Sequence, residues 1–235
     1  MKRLLDLVGG VGGLILISPV FVVVAGLVWI GDRGPVFYRQ VRVGRFGREF
    51  KIWKFRTMRV GADQMGPAVT KGGDNRITLV GRLLRKTKID EIPQLLNVVA
   101  GEMSFVGPRP EVPRYVGLYS EAQRRVLDLK PGITDLASLR FRNEEELLAR
   151  AEEFERFYRE VCIPRKIELN LEYAAKASVW NDTKLIVKTV LAVAGLGGVG
   201  GADPRGSGRN VQLDGSSGRR RDARGNAADK GSSRI

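Results

Sequence analysis

Histidine is absent from the 235-residue sequence, and cysteine occurs once, as Cys162. The absence of histidine excludes Ser-His and Cys-His nucleophile pairs, histidine general bases and most zinc sites. A single cysteine excludes an intrachain disulfide and argues against a thiolate metal cluster, and it fits a reducing compartment. Any catalysis must therefore depend on carboxylates, lysines, arginines, hydroxyl groups or a hard metal ion.

Basic residues are abundant, since 40 Lys and Arg against 26 Asp and Glu give a formal net charge of +14. Such a charge suits a nucleic-acid-binding protein, a protein on an anionic membrane leaflet, or a site that grips phosphate groups. The sequence contains no RNA- or DNA-binding motif and no aromatic pattern for base stacking. We therefore expect no nucleic-acid partner, and the chain length favours one compact catalytic body with appendages.

The stretch from Leu7 to Ile30 carries no formally charged side chain. At ~1.5 Å per residue in a helix, it is long enough to cross the ~30 Å hydrocarbon core of a bilayer. A cleaved signal peptide fits poorly, because its apolar region runs over only about 7 to 15 residues. Pro19 lies near the middle of the stretch, where it removes one helical hydrogen bond and predicts a kink.

Charges on both sides of this stretch favour a re-entrant segment. Lys2 and Arg3 precede it, and arginines recur between residues 33 and 48. Because positive charge marks the cytoplasmic side, both ends are predicted to face the cytoplasm. The Ser18 hydroxyl can bond a carbonyl freed by Pro19, so the chain can turn at Ser18-Pro19 and return to the same side. A kinked helix that spans the membrane remains the alternative.

The remainder predicts a membrane-associated α+β fold that is mainly helical. Residues 36–42 and 48–55 flank a turn at 44–47 and predict a small β-hairpin. Helical periodicity appears at 79–86, 92–100, 144–158 and 165–177, and residues 183–196 predict an amphipathic helix on the membrane surface or on the core. The predicted organisation is a re-entrant helix-break-helix segment over 1–32, a helical catalytic domain over 33–196 and a disordered tail over 197–235.

A pair of carboxylates, Asp90 and Glu91, stands before a helical pattern that has Pro93 in its first turn. The structural interpretation is that Asp90 caps this helix. The functional interpretation is that an ionised, exposed carboxylate at a helix N-terminus serves as a nucleophile toward a phosphate bound there. Glu91 then suits Mg²⁺, which prefers few protein oxygens together with substrate phosphates.

Cations suited to phosphate transfer stand in several short motifs. Lys54 and Arg56 lie in KFRTM, and Arg85 lies in LLRKTKIDE. Each could equally be a solvated surface cation. Arg109 differs because Pro108 and Pro110 flank it, which restricts the backbone and suits two-pronged binding of a diphosphate, although a rigid turn explains the pattern equally well.

These motifs together resemble the bacterial monotopic phosphoglycosyl transferases, also called bacterial sugar transferases. The similarity extends roughly from Lys2 to Leu196 and includes Ser18-Pro19, KFRTM, DEIPQLLNV, GEMSFVGPRP and the Lys130 to Thr134 segment. The resemblance is to the minimal catalytic-unit form, on the cytoplasmic face of the bacterial inner membrane. The family moves a sugar-1-phosphate from a UDP-sugar to polyprenyl (undecaprenyl) phosphate, which begins glycan assembly that other glycosyltransferases continue.

The resemblance also implies roles for individual residues. Asp90 would attack the β-phosphate to form an aspartyl-phosphosugar intermediate and release UMP, and Glu91 would hold Mg²⁺. Arg109, between Pro108 and Pro110, would help to hold the nucleotide. The expected surrounding shell consists of Lys54, Arg56, Thr57 and Arg85.

One departure from the family concerns the segment after Thr134. Many relatives continue with Gly-Trp-Ala-Gln, whereas this chain continues with Asp135 and Leu136. The transferred sugar is therefore left unassigned, as are the glycan pathway and the oligomeric state. The rival hypothesis from another class is a membrane-tethered basic binding protein without catalysis.

Overall fold

The computed structural model describes residues 2–62, 65–66, 74–149 and 153–196. The predicted tail over 197–235 lies outside the described residues. The described helices are α1 Lys2–Gly31, α2 Leu79–Lys86, α3 Gln94–Ala100, α4 Pro113–Val116, α5 Glu121–Arg124, α6 Leu136–Arg140, α7 Glu144–Ala149, α8 Phe154–Phe157, α9 Ile163–Ala174 and α10 Val179–Val193. The strands are β1 Phe37–Val43, β2 Glu49–Phe55, β3 Ser104–Val106 and β4 Gly132–Thr134. The prediction of a mainly helical α+β fold is confirmed.

The backbone of α1 is helical through Ser18 and Pro19, so the predicted break does not interrupt the secondary structure, and the return of this segment to the same side of the membrane stays a prediction. Pro19 has no N–H to donate to the carbonyl of Ile15, one turn earlier. The Ser18 hydroxyl donates to that same carbonyl over 2.8 Å. Because the freed acceptor regains a donor, the helix continues past the proline, as helices in lipid do when a serine satisfies the backbone.

Both halves of α1 pack on the rest of the protein. In the first half, Gly10 lies against Val98 and Val99 of α3. In the second half, Val24 and Val28 are buried in a cluster with aromatic and aliphatic side chains of β1, β2 and α2. The middle of the helix is exposed. Among the described residues, α1 is the one helix long and apolar enough to cross a membrane.

Polar contacts fix the start of α1. The buried carboxylate of Asp6 accepts hydrogen bonds from the Ser104 hydroxyl (2.9 Å) and the Phe105 amide (3.2 Å). Arg3 donates to the last carbonyls of α3, those of Val98 and Val99. The hydrogen bonds from Ser104 and Phe105 offset the cost of burying the Asp6 carboxylate in an apolar helix.

The β-hairpin is confirmed. Strands β1 and β2 are antiparallel, with Phe37 opposite Phe55 and Val43 opposite Glu49. A short 3₁₀ turn, Arg45–Gly47, joins them, and its Phe46 and Gly47 adopt positive φ angles of 58° and 74°. A second, parallel pair formed by β3 and β4 was not predicted, because three-residue strands carry no readable alternation.

Candidate active site

The carboxylate pair lies in a 3₁₀ turn, Ile89–Glu91, between α2 and α3. Lys88 begins this turn in the left-handed conformation, with φ of 57°, which costs free energy for a residue other than glycine. Asp90 does not cap α3, since that helix begins at Gln94 and has Pro93, without a side-chain hydrogen bond, at its cap position. The cap interpretation of Asp90 is therefore wrong.

Asp90 is also buried, with 6% of its surface exposed, whereas the sequence argument expects an exposed carboxylate. Its Oδ1 atom has no hydrogen-bond partner among the described residues. The turn packs against strand β2, and Lys54 of that strand lies close enough to act on the charge of Asp90. Burial raises its pKa above the usual value of 3.8, although attraction to Lys54 counteracts part of this effect.

Glu91 contacts two cations that come from distant parts of the chain. Lys54, at the end of β2, donates to its Oε1 atom over 2.9 Å. Arg109 donates to both carboxylate oxygens, with an Nη1 to Oε2 distance of 3.0 Å. Burial alone would raise the pKa of Glu91, but attraction to Arg109 and Lys54 outweighs it and holds the pKa well below the usual value. Glu91 is therefore ionised.

The two adjacent carboxyl groups thus have pKa values shifted in opposite directions. The cause is their contacts, since Glu91 has two cationic partners and Asp90 lacks a hydrogen bond to Oδ1 within the described residues. Such separation is typical of paired carboxylates with different chemical roles. The same cluster shifts the cations: burial lowers the pKa of Lys54, and Glu91 raises the pKa of Arg109.

A second group of predicted residues lies where α2 contacts Thr57, just after the end of β2. Arg85 donates from Nε to the Thr57 hydroxyl over 3.0 Å. Gly81 brings α2 into direct contact with the Thr57 carbonyl, where a Cβ atom would overlap the backbone. Arg56 is turned toward the chain after α1, since it donates to the Asp32 carbonyl and pairs with the Asp32 carboxylate at 3.9 Å.

All of these predicted side chains line one cavity of about 800 Å³, namely Lys54, Arg56, Thr57, Arg85, Asp90, Glu91 and Arg109. This volume lies within the range of about 300–1,000 Å³ found for small-molecule sites. Pro108 and Pro110 do not line this cavity and instead border a smaller neighbouring pocket. They belong to the loop that presents Arg109.

Sequence reasoning missed several side chains that line the same cavity. Arg42 and Glu111 were given no role in the site, and Tyr158 was placed only in a helical pattern. Glu111 directly follows the Pro108 to Pro110 motif, and this position in the sequence was the one indication that Glu111 belongs to the site. Tyr158 lies 47 residues further along, and only the fold brings it to Glu111.

Glu91 is the residue of the carboxylate pair that could hold a divalent cation. Within the described residues there is no group of three or more acidic, cysteine or histidine side chains able to form a complete protein cage. Mg²⁺ is commonly held by one or two carboxylates together with substrate phosphates. Glu91 offers an ionised carboxylate at the cavity, and its oxygens would have to exchange Lys54 and Arg109 for the ion.

The sequence is similar to those of several known proteins. The family model described as bacterial sugar transferase matches residues 1–195. The chain is 36% identical over 198 residues to a UDP-glucose:undecaprenyl-phosphate glucose-1-phosphate transferase of Escherichia coli K12, covering 81% of this chain and 39% of that protein. It is 37% identical over 193 residues to the sugar transferase EpsL of Bacillus subtilis 168, covering 82% and 87%.

A third relative, from Aeromonas hydrophila, is named as a UDP-N-acetylgalactosamine-undecaprenyl-phosphate N-acetylgalactosaminephosphotransferase. It is 33% identical to this chain over 198 residues, which cover 82% of this chain and 43% of that protein. The relatives thus differ in the sugar for which they are named. This chain spans about two fifths of the length of the Escherichia coli and Aeromonas proteins. The match to the family model extends over most of the sequence and includes every residue of the candidate site, and the chain belongs to the bacterial sugar transferase family.

Proposed function

We propose that this protein transfers a sugar-1-phosphate from a UDP-sugar to polyprenyl (undecaprenyl) phosphate through a covalent intermediate on Asp90. The observation that carries the proposal is a buried carboxylate, Asp90, whose Oδ1 lacks a hydrogen-bond partner within the described residues, beside the ion-paired Glu91 in a cavity of ligand size. Relatives named for this reaction with different sugars support the same substrate classes.

In the first step, an Asp90 carboxylate oxygen forms a bond to the β-phosphorus of the UDP-sugar, and the bond from that phosphorus to the bridging oxygen breaks. UMP leaves with the bonding electrons. In the second step, an oxygen of polyprenyl phosphate attacks the same phosphorus and releases Asp90. Both nucleophiles are already anions, so neither step requires a histidine base.

Cations around the cavity neutralise the charge that moves during transfer. Lys54 and Arg109 both pair with Glu91, and we assign them to the diphosphate of the donor. Mg²⁺ held by Glu91 would supply further neutralisation of the phosphate oxygens. Arg85, which donates to the Thr57 hydroxyl over 3.0 Å and lines the same cavity, is the cation that we assign to the polyprenyl phosphate.

Helix α1 is proposed to enter the cytoplasmic leaflet of the bacterial inner membrane and return to the same side. Both halves of the helix contact the body that carries the cavity, as Gly10 and Val28 show. A helix that spans the bilayer would carry one half away from that body. Exposed apolar residues on α2 and α10, including Leu79, Leu83 and Trp180, provide further surface for lipid.

The proposal is tested by UMP release. Detergent-solubilised protein is incubated with polyprenyl phosphate, Mg²⁺ and a panel of UDP-sugars that includes UDP-glucose and UDP-N-acetylgalactosamine. We expect UMP from at least one sugar, retention of radiolabelled sugar phosphate on the protein when polyprenyl phosphate is omitted, and loss of both with Asp90→Asn. Asp128→Asn, at an exposed position outside the cavity, is the matched control.

Absence of UMP with every sugar, or unchanged release by Asp90→Asn, would instead favour a membrane-tethered basic binding protein without catalysis. Topology is tested separately by cysteine labelling at positions 2 and 45. We expect both positions to react from the same side of the membrane. Reaction from opposite sides would establish a spanning helix.

A further inference from the structure

Arg42, Glu111 and the buried Tyr158 form a hydrogen-bonded network on the wall of the cavity, next to the loop that presents Arg109. Tyr158 donates from its hydroxyl to Oε2 of Glu111 over 2.5 Å. Arg42 pairs with Oε1 of Glu111 at 3.4 Å and also donates to the Gln40 side chain over 2.6 Å. The Val112 amide donates to Oε1 of Glu111 over 2.9 Å. Both oxygens of Glu111 therefore have partners.

This network fixes the backbone immediately after Arg109. Arg42 donates from Nη1 to the Pro110 carbonyl over 3.1 Å, and the Val43 amide donates to the Glu111 carbonyl over 2.9 Å. On the other side of Arg109, the Gly132 amide donates to the Pro108 carbonyl over 3.0 Å. The loop is thus attached to β4 before Arg109 and to β1 after it.

Tyr158 reaches Glu111 from an unusual element. It begins a π-helical turn, Tyr158–Cys162, which leads into α9. Such turns insert an extra residue into a helix and are frequent at functional sites. The Tyr158 ring packs edge-on against Tyr115, with ring centroids 5.1 Å apart, and only 4% of the residue is exposed. Its hydroxyl therefore has little freedom to leave Glu111.

We propose that Glu111, held by Arg42 and Tyr158, is a positioning residue that aims Arg109 at the diphosphate of the nucleotide sugar. This inference rests on the proposed function. Arg109 must exchange part of its contact with Glu91 for the donor's phosphates, and a loop fixed on both sides keeps the guanidinium within reach during that exchange. Small displacements of positioned groups are known to cost large factors in rate or affinity.

A purely structural role would have a different signature. If Glu111 only stabilised the fold, its substitution would weaken donor binding whether or not Arg109 were present. If Glu111 acts through Arg109, the effect must disappear once Arg109 is removed. A double-mutant cycle separates the two because it measures the coupling between residues.

The test measures the Kd of a UDP-sugar by calorimetry, with the full chain in detergent. The ligand is the UDP-sugar from which the protein releases UMP, or UDP-glucose if no sugar gives UMP. In the wild-type background, we expect Glu111→Gln to weaken UDP-sugar binding roughly tenfold and Tyr158→Phe to weaken it by a smaller factor. In an Arg109→Ala background, we expect each of these substitutions to change the Kd by less than about twofold. The KM for polyprenyl phosphate should not change. Glu155→Gln, at an exposed glutamate that pairs with Arg114, is the control.

Unchanged binding by both Glu111→Gln and Tyr158→Phe, or an undiminished effect in the Arg109→Ala background, would overturn the inference. If Glu111→Gln does not fold, Tyr158→Phe removes only one hydroxyl group and still completes the cycle. A wild-type protein that binds UDP-sugar but releases no UMP would contradict the proposed function, and the same cycle would still decide the role of Glu111.

Discussion

The guanidinium of Arg109 donates to both carboxylate oxygens of Glu91. Lys54 adds a third donor to the same carboxylate over 2.9 Å. Without substrate, Glu91 therefore neutralises two cations that the phosphates of a nucleotide sugar would also use. Substrate binding is expected to involve a competition between one protein carboxylate and the donor's diphosphate.

This competition predicts opposite effects of Glu91→Gln on binding and on turnover. In EDTA, the variant should bind a UDP-sugar severalfold more tightly, on the order of 3 to 10-fold, because Arg109 and Lys54 no longer pair with a carboxylate. Its turnover in Mg²⁺ should fall about 100-fold or more, because the carboxylate proposed to hold the ion is gone. Calorimetry and UMP release measure the two quantities. Weaker binding in EDTA would contradict the competition, and Glu155→Gln should change neither.

A second prediction concerns the dependence of kcat/KM on pH. Asp90 must be ionised to attack phosphorus, and burial raises its pKa, so activity should decline with falling pH at values above the usual 3.8 of aspartate. Burial also lowers the pKa of Lys54, so its charge should be lost at a pH below the usual 10.5. We expect kcat/KM to follow a bell-shaped dependence on pH. Its two limbs should lie closer together than the ordinary pKa values of aspartate and lysine. Lys54→Arg should move the basic limb and leave the acidic limb in place.

A third prediction is that Asp90→Asn stabilises the protein while abolishing transfer. Because the folded pKa of Asp90 lies above its unfolded value, ionised Asp90 costs stability. This cost is absent at pH values below the unfolded pKa and grows as the pH rises through the folded pKa. The variant should therefore have a Tm a few degrees higher near pH 7, with the difference shrinking in acid. An equal or lower Tm at neutral pH would show that burial of Asp90 is not costly.

Local sequence patterns predicted the parts of the fold that depend on neighbours in the chain. The pattern over residues 79–86 matches the bounds of α2, and the arginine-rich hairpin was predicted with its turn at 44–47. Asp90, Glu91, Lys54 and Arg109 were predicted to work together because the resemblance to a family links their motifs. The structure brings these four residues into one cavity.

The features that the sequence did not predict depend on tertiary contacts. The pairing of β3 with β4 requires Gly107 and Gly132 to bring two backbones together, and such contact leaves no periodic signal. The burial of Asp90 follows from the packing of its turn against β2, which the motif DEIPQLLN cannot reveal. The link from Tyr158 to Glu111 joins residues whose separation in sequence is too large for any local pattern.

A fourth prediction concerns the contact of α2 with Thr57. A Cβ atom at Gly81 would overlap the Thr57 carbonyl, so Gly81→Ala must displace α2 and separate Arg85 from Thr57. We expect a loss of about 1–3 kcal/mol in the free energy of unfolding and a raised KM for polyprenyl phosphate. Gly12→Ala is the matched control, because a Cβ atom at this position of α1 meets open space. If both variants behave alike, the close approach at Gly81 does not position Arg85.

The last prediction concerns the proline in α1. Ser18→Ala removes the hydroxyl that donates to the Ile15 carbonyl, and Pro19 has no N–H to replace it. In lipid, an acceptor without a donor should cost about 1–3 kcal/mol. The double variant Ser18→Ala, Pro19→Ala regains a backbone N–H one turn after Ile15, so it should recover most of the lost Tm. Recovery would show that Ser18→Ala acts through the missing hydrogen bond to the Ile15 carbonyl. If the loss came from the packing of the serine side chain, the double variant would remain as unstable as Ser18→Ala.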